Sequence, residues 1–378
     1  MTHNIALGRP TTGAEELAAI QAVFESGWLA GQGPASRAFE AKFAERIGVE
    51  RAMAVNNCTA GLHLALAALG VGPGDEVVVA DYTYPATAHA VAYLGATPRF
   101  SDVHRDTALI DPEAAAALVN DRTVGIVAVD AFGQCAEYDE LRAVADRHGL
   151  FLVEDAACAA GATYKGIPAG NGRLADIAAF SLHGRKGITS GEGGVVTTDR
   201  DDLASYVAKN LCFGVESALS RSSGTDLVVP QFTEIGYNYK LSDIASAIAS
   251  VQLDRLDDLI DARQRVADRY AELLGGHELI TLPVTLPERR HPWQAFVVTL
   301  APEVDRGQVA KQLRDAGIGC NIGTFSCHVQ PVYQSTDVCP VSAEIFVRHL
   351  AIPMHSELTE DEIAIVSEEL LAAVAAAH

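Results

Sequence analysis

The run from Phe180 to Gly194 presents one amine in a setting suited to covalent chemistry. Ile177, Ala178, Ala179 and Phe180 read as a buried strand. The chain then turns polar, offers Lys186, and passes Gly191, Gly193 and Gly194 before a second apolar run, 195–198. An amine at a sheet end, with little bulk nearby, forms a Schiff base with an aldehyde if burial or neighbouring cations lower its pKa. The plain alternative is a solvated turn lysine. The lysine inventory favours the first reading. Of six lysines, Lys42, Lys209 and Lys311 sit on charged helical faces, Lys165 is in a turn, and Lys240 follows Tyr239.

Other residues suit a flat, charged ligand. Glu154 and Asp155 end an apolar strand that begins at Phe151, and small residues follow. An acid at a buried strand end needs a cationic partner. A protonated pyridine nitrogen would serve, as would an internal ion pair. Tyr84, just after the strand 76–80, suits stacking on a ring, or the core. Thr59 and Ala60 open a helix reaching Leu69, whose free N–H groups and positive dipole end suit a phosphate. An ordinary Asn/Thr cap reads equally well there.

The elements that must position these residues alternate. Strands are expected at 76–80, 97–103, 124–131 and 151–153, with helices at 87–93, 112–119 and 138–148 between them. Short connections between such elements mean a mainly parallel sheet covered on both faces. Ligand groups then lie beyond the carboxyl ends of the strands. Gly70–Gly74 precedes its strand and contains Pro73, so it is a turn and not a dinucleotide fingerprint. Helices are expected at 14–26 and 35–47, and from Asp199 to about Leu211. The segment 214–230 is polar and reads as mobile, and a long helical stretch spans 242–274. Pro283, Pro287, Pro292 and two arginines read as a linker. Beyond it come strands at 293–300 and 319–322, and helices at 308–316, at 342–349 and from Thr359. Glu362, three residues after Thr359, completes a capping box.

The 378 residues carry 49% hydrophobic side chains and a net charge of −21. That charge argues against nucleic acid or an anionic membrane as the main partner. Seven scattered cysteines without CxxC spacing fit reduced thiols better than a disulfide framework or a zinc site. The N-terminus shows no apolar signal region, and no run approaches membrane-spanning length, so a cytoplasmic enzyme is expected.

Taken together, the residues resemble the fold-type-I pyridoxal-phosphate enzymes, specifically the sugar aminotransferase (DegT-type) family, over nearly the whole chain. The marks are Gly33-Pro34 with Phe39-Glu40, Cys58-Thr59-Ala60, the turn 72–77, Glu154-Asp155, Ser181 with Lys186 five residues on, the glycines 191–194, and Gly236–Tyr239. The resemblance implies an α/β fold. A large cofactor-binding domain, 1–259, would hold a mainly parallel seven-stranded sheet, and a small C-terminal α+β domain would span 260–378. It implies pyridoxal 5'-phosphate as cofactor, with Lys186 as its Schiff-base lysine and proton carrier, and Asp155 on the pyridinium nitrogen. Tyr84 would stack on the ring, and Ser181 with Thr59 and Ala60 would hold the phosphate. Asn238 would reach the phosphate of the neighbouring subunit's cofactor, giving a homodimer with shared sites. His328 and Tyr237 are expected on the substrate side.

Cys158 stands where the family usually has glutamine or histidine beside the cofactor hydroxyl, and Gly187 where asparagine is frequent. The implied reaction moves an amino group from an amino acid, glutamate first among them, to a nucleotide-linked keto-deoxysugar. Keto-cyclitol amination, formation of an aminobenzoate, and a silent cofactor-binding regulator stay open as alternatives. A related dehydratase branch carries histidine in place of the lysine.

Overall fold

A computed structural model describes residues 3–215 and 229–378. Most of the expected polar segment, 216–228, therefore lies outside the described residues.

The large sheet contains β1 (Arg51–Val55), β2 (Glu76–Ala80), β3 (Thr97–Ser101), β4 (Thr123–Val129), β5 (Phe151–Asp155), β6 (Ile177–Ser181) and β7 (Gly194–Thr198). Their order is β1-β7-β6-β5-β4-β2-β3. Only β7 runs against its neighbours; the β6-β5-β4-β2-β3 ladder is parallel throughout. The expected mainly parallel seven-stranded sheet is therefore present. Strands β2, β6 and β7 are buried along their whole length, as sheets with both faces covered require.

β1 was not legible in the sequence. Ala52, Met53 and Ala54 have weak strand preference, and pairing with β7 fixes them instead. β3 stops at Ser101, short of the expected Val103. The long helical stretch is two helices, Asp243–Asp254 and Leu256–Leu274, broken at Arg255. The proline-rich segment is more than a linker: Arg289 and Arg290 pair as a short strand with Thr163 and Tyr164, pinning it to the large sheet's side of the molecule.

A second, four-stranded antiparallel sheet holds β8 (Ile280–Thr281), β9 (Phe296–Leu300), β10 (Asn321–Ile322) and β11 (His349–Ile352), in the order β8-β9-β11-β10. His349, the first residue of β11, was read as the end of a helix, which stops at Arg348. The final helix, Glu360–Ala376, has its capping box at Thr359 and Glu362 as expected.

Helix Leu256–Leu274 joins two hydrophobic cores. Leu256, Leu259 and Ile260 pack with the large sheet, whereas Val266, Tyr270 and Leu274 pack with β9 and the last helix. Ile5 also packs in that second core. One further contact fixes the amino-terminal helices. Helix Pro34–Ile47 begins at Gly33, which has no side chain to cap it. Asp243 supplies the cap from another helix, accepting from the amides of Gly33, Ala35 and Ser36.

Candidate active site

The carboxyl ends of β2, β4, β5 and β6 surround a cavity of about 570 Å³, closed on its far side by residues 321–324 and 351–354. Lys186, Asp155, Cys158, Tyr84, Thr59 and Ser181 all line it. Six of the residues singled out in the sequence thus meet in one place, as the strand-end rule anticipates. Another hollow, of about 410 Å³, is lined by Asp75, Asp176 and Arg200 and contains no lysine.

Lys186 leaves a turn held by its own amide, which donates to the His183 carbonyl at 2.9 Å. Its Nζ donates to Cys158 Sγ at 3.1 Å. The buried Arg263, which the sequence did not reveal, fixes the backbone here. It donates Nη1 to the Gly187 carbonyl at 3.1 Å and Nη2 to the Lys186 carbonyl at 3.4 Å. Burial lowers the Arg263 guanidinium to about 10. The approach does not require glycine at 187, since an added Cβ would lie 3.4 Å from Arg263 Nη1, an ordinary van der Waals contact.

The lowered pKa set as the condition for Schiff-base chemistry is not found at Lys186. Burial works against the ammonium, but Cys158, Cys58 and Asp155 outweigh it, and the amine is held above the usual lysine value. No cation is among the groups that set this shift.

Asp155 is buried at the end of β5. Its Oδ2 accepts from Thr87 Oγ1 at 2.7 Å, and its Oδ1 from the Ala157 amide at 3.1 Å. Burial nevertheless raises its carboxyl above the ordinary range, against the pull of Thr87, Ala157 and Lys186. It makes no direct ion pair among the described residues. A carboxyl desolvated in this way, on a cavity floor, fits a ligand that brings its own cation.

Helix Cys58–Ala68 aims its N-terminus at the same space. The cap reading is real: Asn57 Oδ1 accepts from the Ala60 amide at 2.8 Å. Ala60 itself is buried and does not line the cavity, so the phosphate expectation there rests on Thr59 and the helix end. Ser181 Oγ accepts from the His183 amide at 3.3 Å. Tyr84 is no core aromatic; it is 67% exposed at the cavity edge, with its ring edge-on to Phe325 at 6.0 Å.

Three expected residues lie outside the cavity of their own chain. Asn238 bridges Cys212 and accepts from Lys240. Tyr237 stacks on Tyr239 at 4.9 Å and meets His63 edge-on. His328 is drawn away by the buried Asp81: its amide donates to Oδ1 at 2.5 Å, and its Nδ1 lies 2.7 Å from Oδ2. Lys165 pairs with Asp139 at 2.6 Å, well apart from the site's lining. Among the described residues, Lys186 is the only lysine lining the cavity.

The donor set fits pyridoxal phosphate: one amine, one desolvated acid positioned by Thr87, a helix N-terminus and a hydroxyl, all facing one space. The seven cysteines are all free. No helix among the described residues is long and apolar enough to cross a membrane.

Comparison with known proteins agrees. Residues 10–371 match the model of the DegT/DnrJ/EryC1/StrS aminotransferase family. The chain is 34% identical over 377 residues to the spore coat polysaccharide biosynthesis protein SpsC of Bacillus subtilis, covering 97% of this chain and 96% of SpsC. It resembles the crystal structure of the aminotransferase TlmJ from Streptoalloteichus hindustanus with a TM-score of 0.91 at 30% identity, covering 98% and 99% of the two chains. The S. venezuelae DesV structure matches with a TM-score of 0.86 at 32% identity, covering 94% and 93%.

Proposed function

Because the chain belongs to the DegT/DnrJ/EryC1/StrS aminotransferase family and is a pyridoxal-phosphate-dependent transaminase, we propose that it aminates a nucleotide-linked keto-deoxysugar, with L-glutamate as donor, in amino-sugar biosynthesis. The observation that carries this is the meeting of Lys186 and Asp155 on the floor of one cavity at the strand ends. When bound, the cofactor supplies an aldehyde that takes up the amino group and a ring that accepts electrons from the reacting carbon.

The chain's own residues do the rest. Asp155 would face the ring nitrogen and favour its protonated form, and Thr87 orients the Asp155 carboxylate. Lys186 would hold the cofactor and carry a proton between carbon atoms, while Arg263 fixes its backbone. Thr59, Ser181 and the helix end at Ala60 would hold the phosphate, Tyr84 would cover the ring, and Cys158 would stand beside the ring oxygen. Residues 1–259 form the cofactor-binding part and 260–378 the smaller part, with the boundary inside helix Leu256–Leu274. Seven free thiols support a reducing, cytoplasmic setting.

The test is a panel of ketones presented to the loaded enzyme with glutamate. Nucleotide-linked keto-deoxysugars are expected to yield an amine with matching 2-oxoglutarate release. Amine formed only on keto-cyclitols, or on none of the sugars, would overturn the substrate assignment.

We further propose a homodimer in which Asn238 and Tyr237 serve the partner's cavity. Two features support it. Neither residue lines its own chain's cavity. Large apolar side chains also lie exposed around them, including Phe213, Phe232 and Ile235, the last 96% exposed. Co-refolding Lys186→Ala chains with Asn238→Ala chains tests the sharing. A mixed dimer then has one intact and one doubly damaged site, so the mixture should exceed the activity of either parent. Activity no greater than the weighted sum of the parents would count against shared sites.

A further inference from the structure

Beside Asp155 lies a second pair of carboxyl groups that the chemistry above does not use. Asp130 follows β4, and Glu154 sits on β5, paired with Ala128 in the parallel ladder. Both are fully buried. Each is half satisfied. Asp130 Oδ1 accepts from the Ala136 amide at 2.9 Å and from Tyr138 Oη at 2.8 Å. Glu154 Oε2 accepts from the Gly170 amide at 2.9 Å. The other oxygens, Asp130 Oδ2 and Glu154 Oε1, have no partner among the described residues. The two carboxyl groups and Cys135 Sγ lie within 4.8 Å of one another.

Two ionised carboxylates this close, without a cation, would be strongly repulsive. Two orphaned buried acceptors would add the cost of lost solvation. One proton removes both problems, because a carboxylic acid donates to its neighbour through the oxygen that otherwise lacks a partner.

We propose that Asp130 and Glu154 share a single proton and act as a positioning pair for Asp155. The link to Asp155 is direct: the Asp130 amide donates to the Asp155 carbonyl at 3.1 Å, and Glu154 precedes it on the strand. The shared proton limits the negative charge stacked at these strand ends, so that Asp155 is the carboxyl left ionised toward the cavity. The groups facing the pair agree with this. Tyr138, Cys135 and the amides of Ala136 and Gly170 bring no formal positive charge. Arg289, the cation that acts on Cys135, is turned to the Cys135 carbonyl and the Tyr164 ring. Burial pushes both carboxyls upward. Repulsion from Asp155 adds to this at Asp130, where the interaction with Glu154 opposes it, and Asp130 in turn helps to hold Glu154 well above the usual range.

The inference rests on the cofactor reading only for its effect on Asp155; the proton itself is read without the cofactor. In the infrared spectrum of the whole chain, a protonated-carboxyl band should persist at pH 8, shift in heavy water, and vanish in Glu154→Gln. Stability gives an independent reading. A folded state that holds a proton which the unfolded chain releases loses stability as pH rises. Glu154→Gln keeps a donor but no titrating proton. Its unfolding constant relative to wild type should therefore fall about tenfold per pH unit between pH 6 and pH 8. In the loaded enzyme, Glu154→Ala should move the pH at which the bound cofactor's absorbance titrates, and Glu154→Gln should restore it. The absence of the infrared band in the wild type would overturn the shared proton, as would a pH-independent stability difference. One tightly bound metal ion per chain would also overturn it, since Asp130, Glu154 and Cys135 would then be ligands. An absorbance titration unmoved by Glu154→Ala would overturn the positioning role alone.

Discussion

Replacing Lys186 with alanine is expected to lower turnover by at least about four orders of magnitude, the upper range for losing a positioned acid–base group together with a covalent anchor. Among the described residues no other lysine lines the cavity to take its place. Lys165 is tied to Asp139, and Lys240 lies over the Phe213 ring at 4.4 Å. Borohydride reduction of the loaded enzyme, followed by peptide mapping, should place the cofactor adduct on Lys186. An adduct on Lys165 or Lys240 would remove Lys186 from its assigned role. The raised pKa of the amine has a further consequence. A raised value favours the ammonium form of Lys186, whose Nζ donates to Cys158 Sγ. It must shed a proton before it can attack an aldehyde, so cofactor loading should quicken as pH rises. Loading that is independent of pH between 6 and 9 would show that the surrounding acids do not hold the proton in place.

The parts of this site that were legible in the sequence are those fixed by short-range order. Lys186, Asp155 and Ser181 each follow an apolar run that ends where a ligand would sit, and period and composition reveal such ends. Cys58–Ala68 was legible because a cap and an apolar helix adjoin. The residues that were missed act across long separations. Arg263 reaches back 76 residues to the Gly187 carbonyl, and Thr87 reaches 68 residues forward to Asp155. Neither has a local signature; a buried arginine on a charged helix looks like a surface one until its helix is docked. β1 failed for the same reason, since its register is set by β7, more than a hundred residues on. The direction of the Lys186 shift was not legible, and a lowered pKa entered the sequence reading only as a condition for Schiff-base chemistry. The groups that decide it come from another strand (Asp155), the turn after it (Cys158) and a helix (Cys58). His328 reads as a polar turn residue free to meet substrate, yet Asp81, 247 residues away, holds it.

Asp155→Asn separates binding from chemistry. The substitution keeps the shape and the Thr87 contact but removes the charge that a protonated ring nitrogen needs. Breaking a buried ion pair by neutralising one partner costs about 3–5 kcal/mol. At roughly 1.4 kcal/mol per tenfold, turnover should fall by about two to four orders of magnitude while cofactor is still retained. The cofactor-free chain should respond in the opposite sense. Burial raises the Asp155 carboxyl, so the folded state binds more protons than the unfolded chain above the ordinary carboxylate range. Stability therefore falls as pH rises through that window, and Asp155 is a cost that asparagine lifts. Asp155→Asn without cofactor should be at least as stable as wild type at pH 7, with its relative advantage smaller at pH 4. Thermal unfolding of the two chains at both pH values, with and without cofactor, measures this. A variant with near-normal turnover would show that Asp155 does not face the ring nitrogen. A cofactor-free variant destabilised equally at both pH values would show that Asp155 serves the fold and not the ligand.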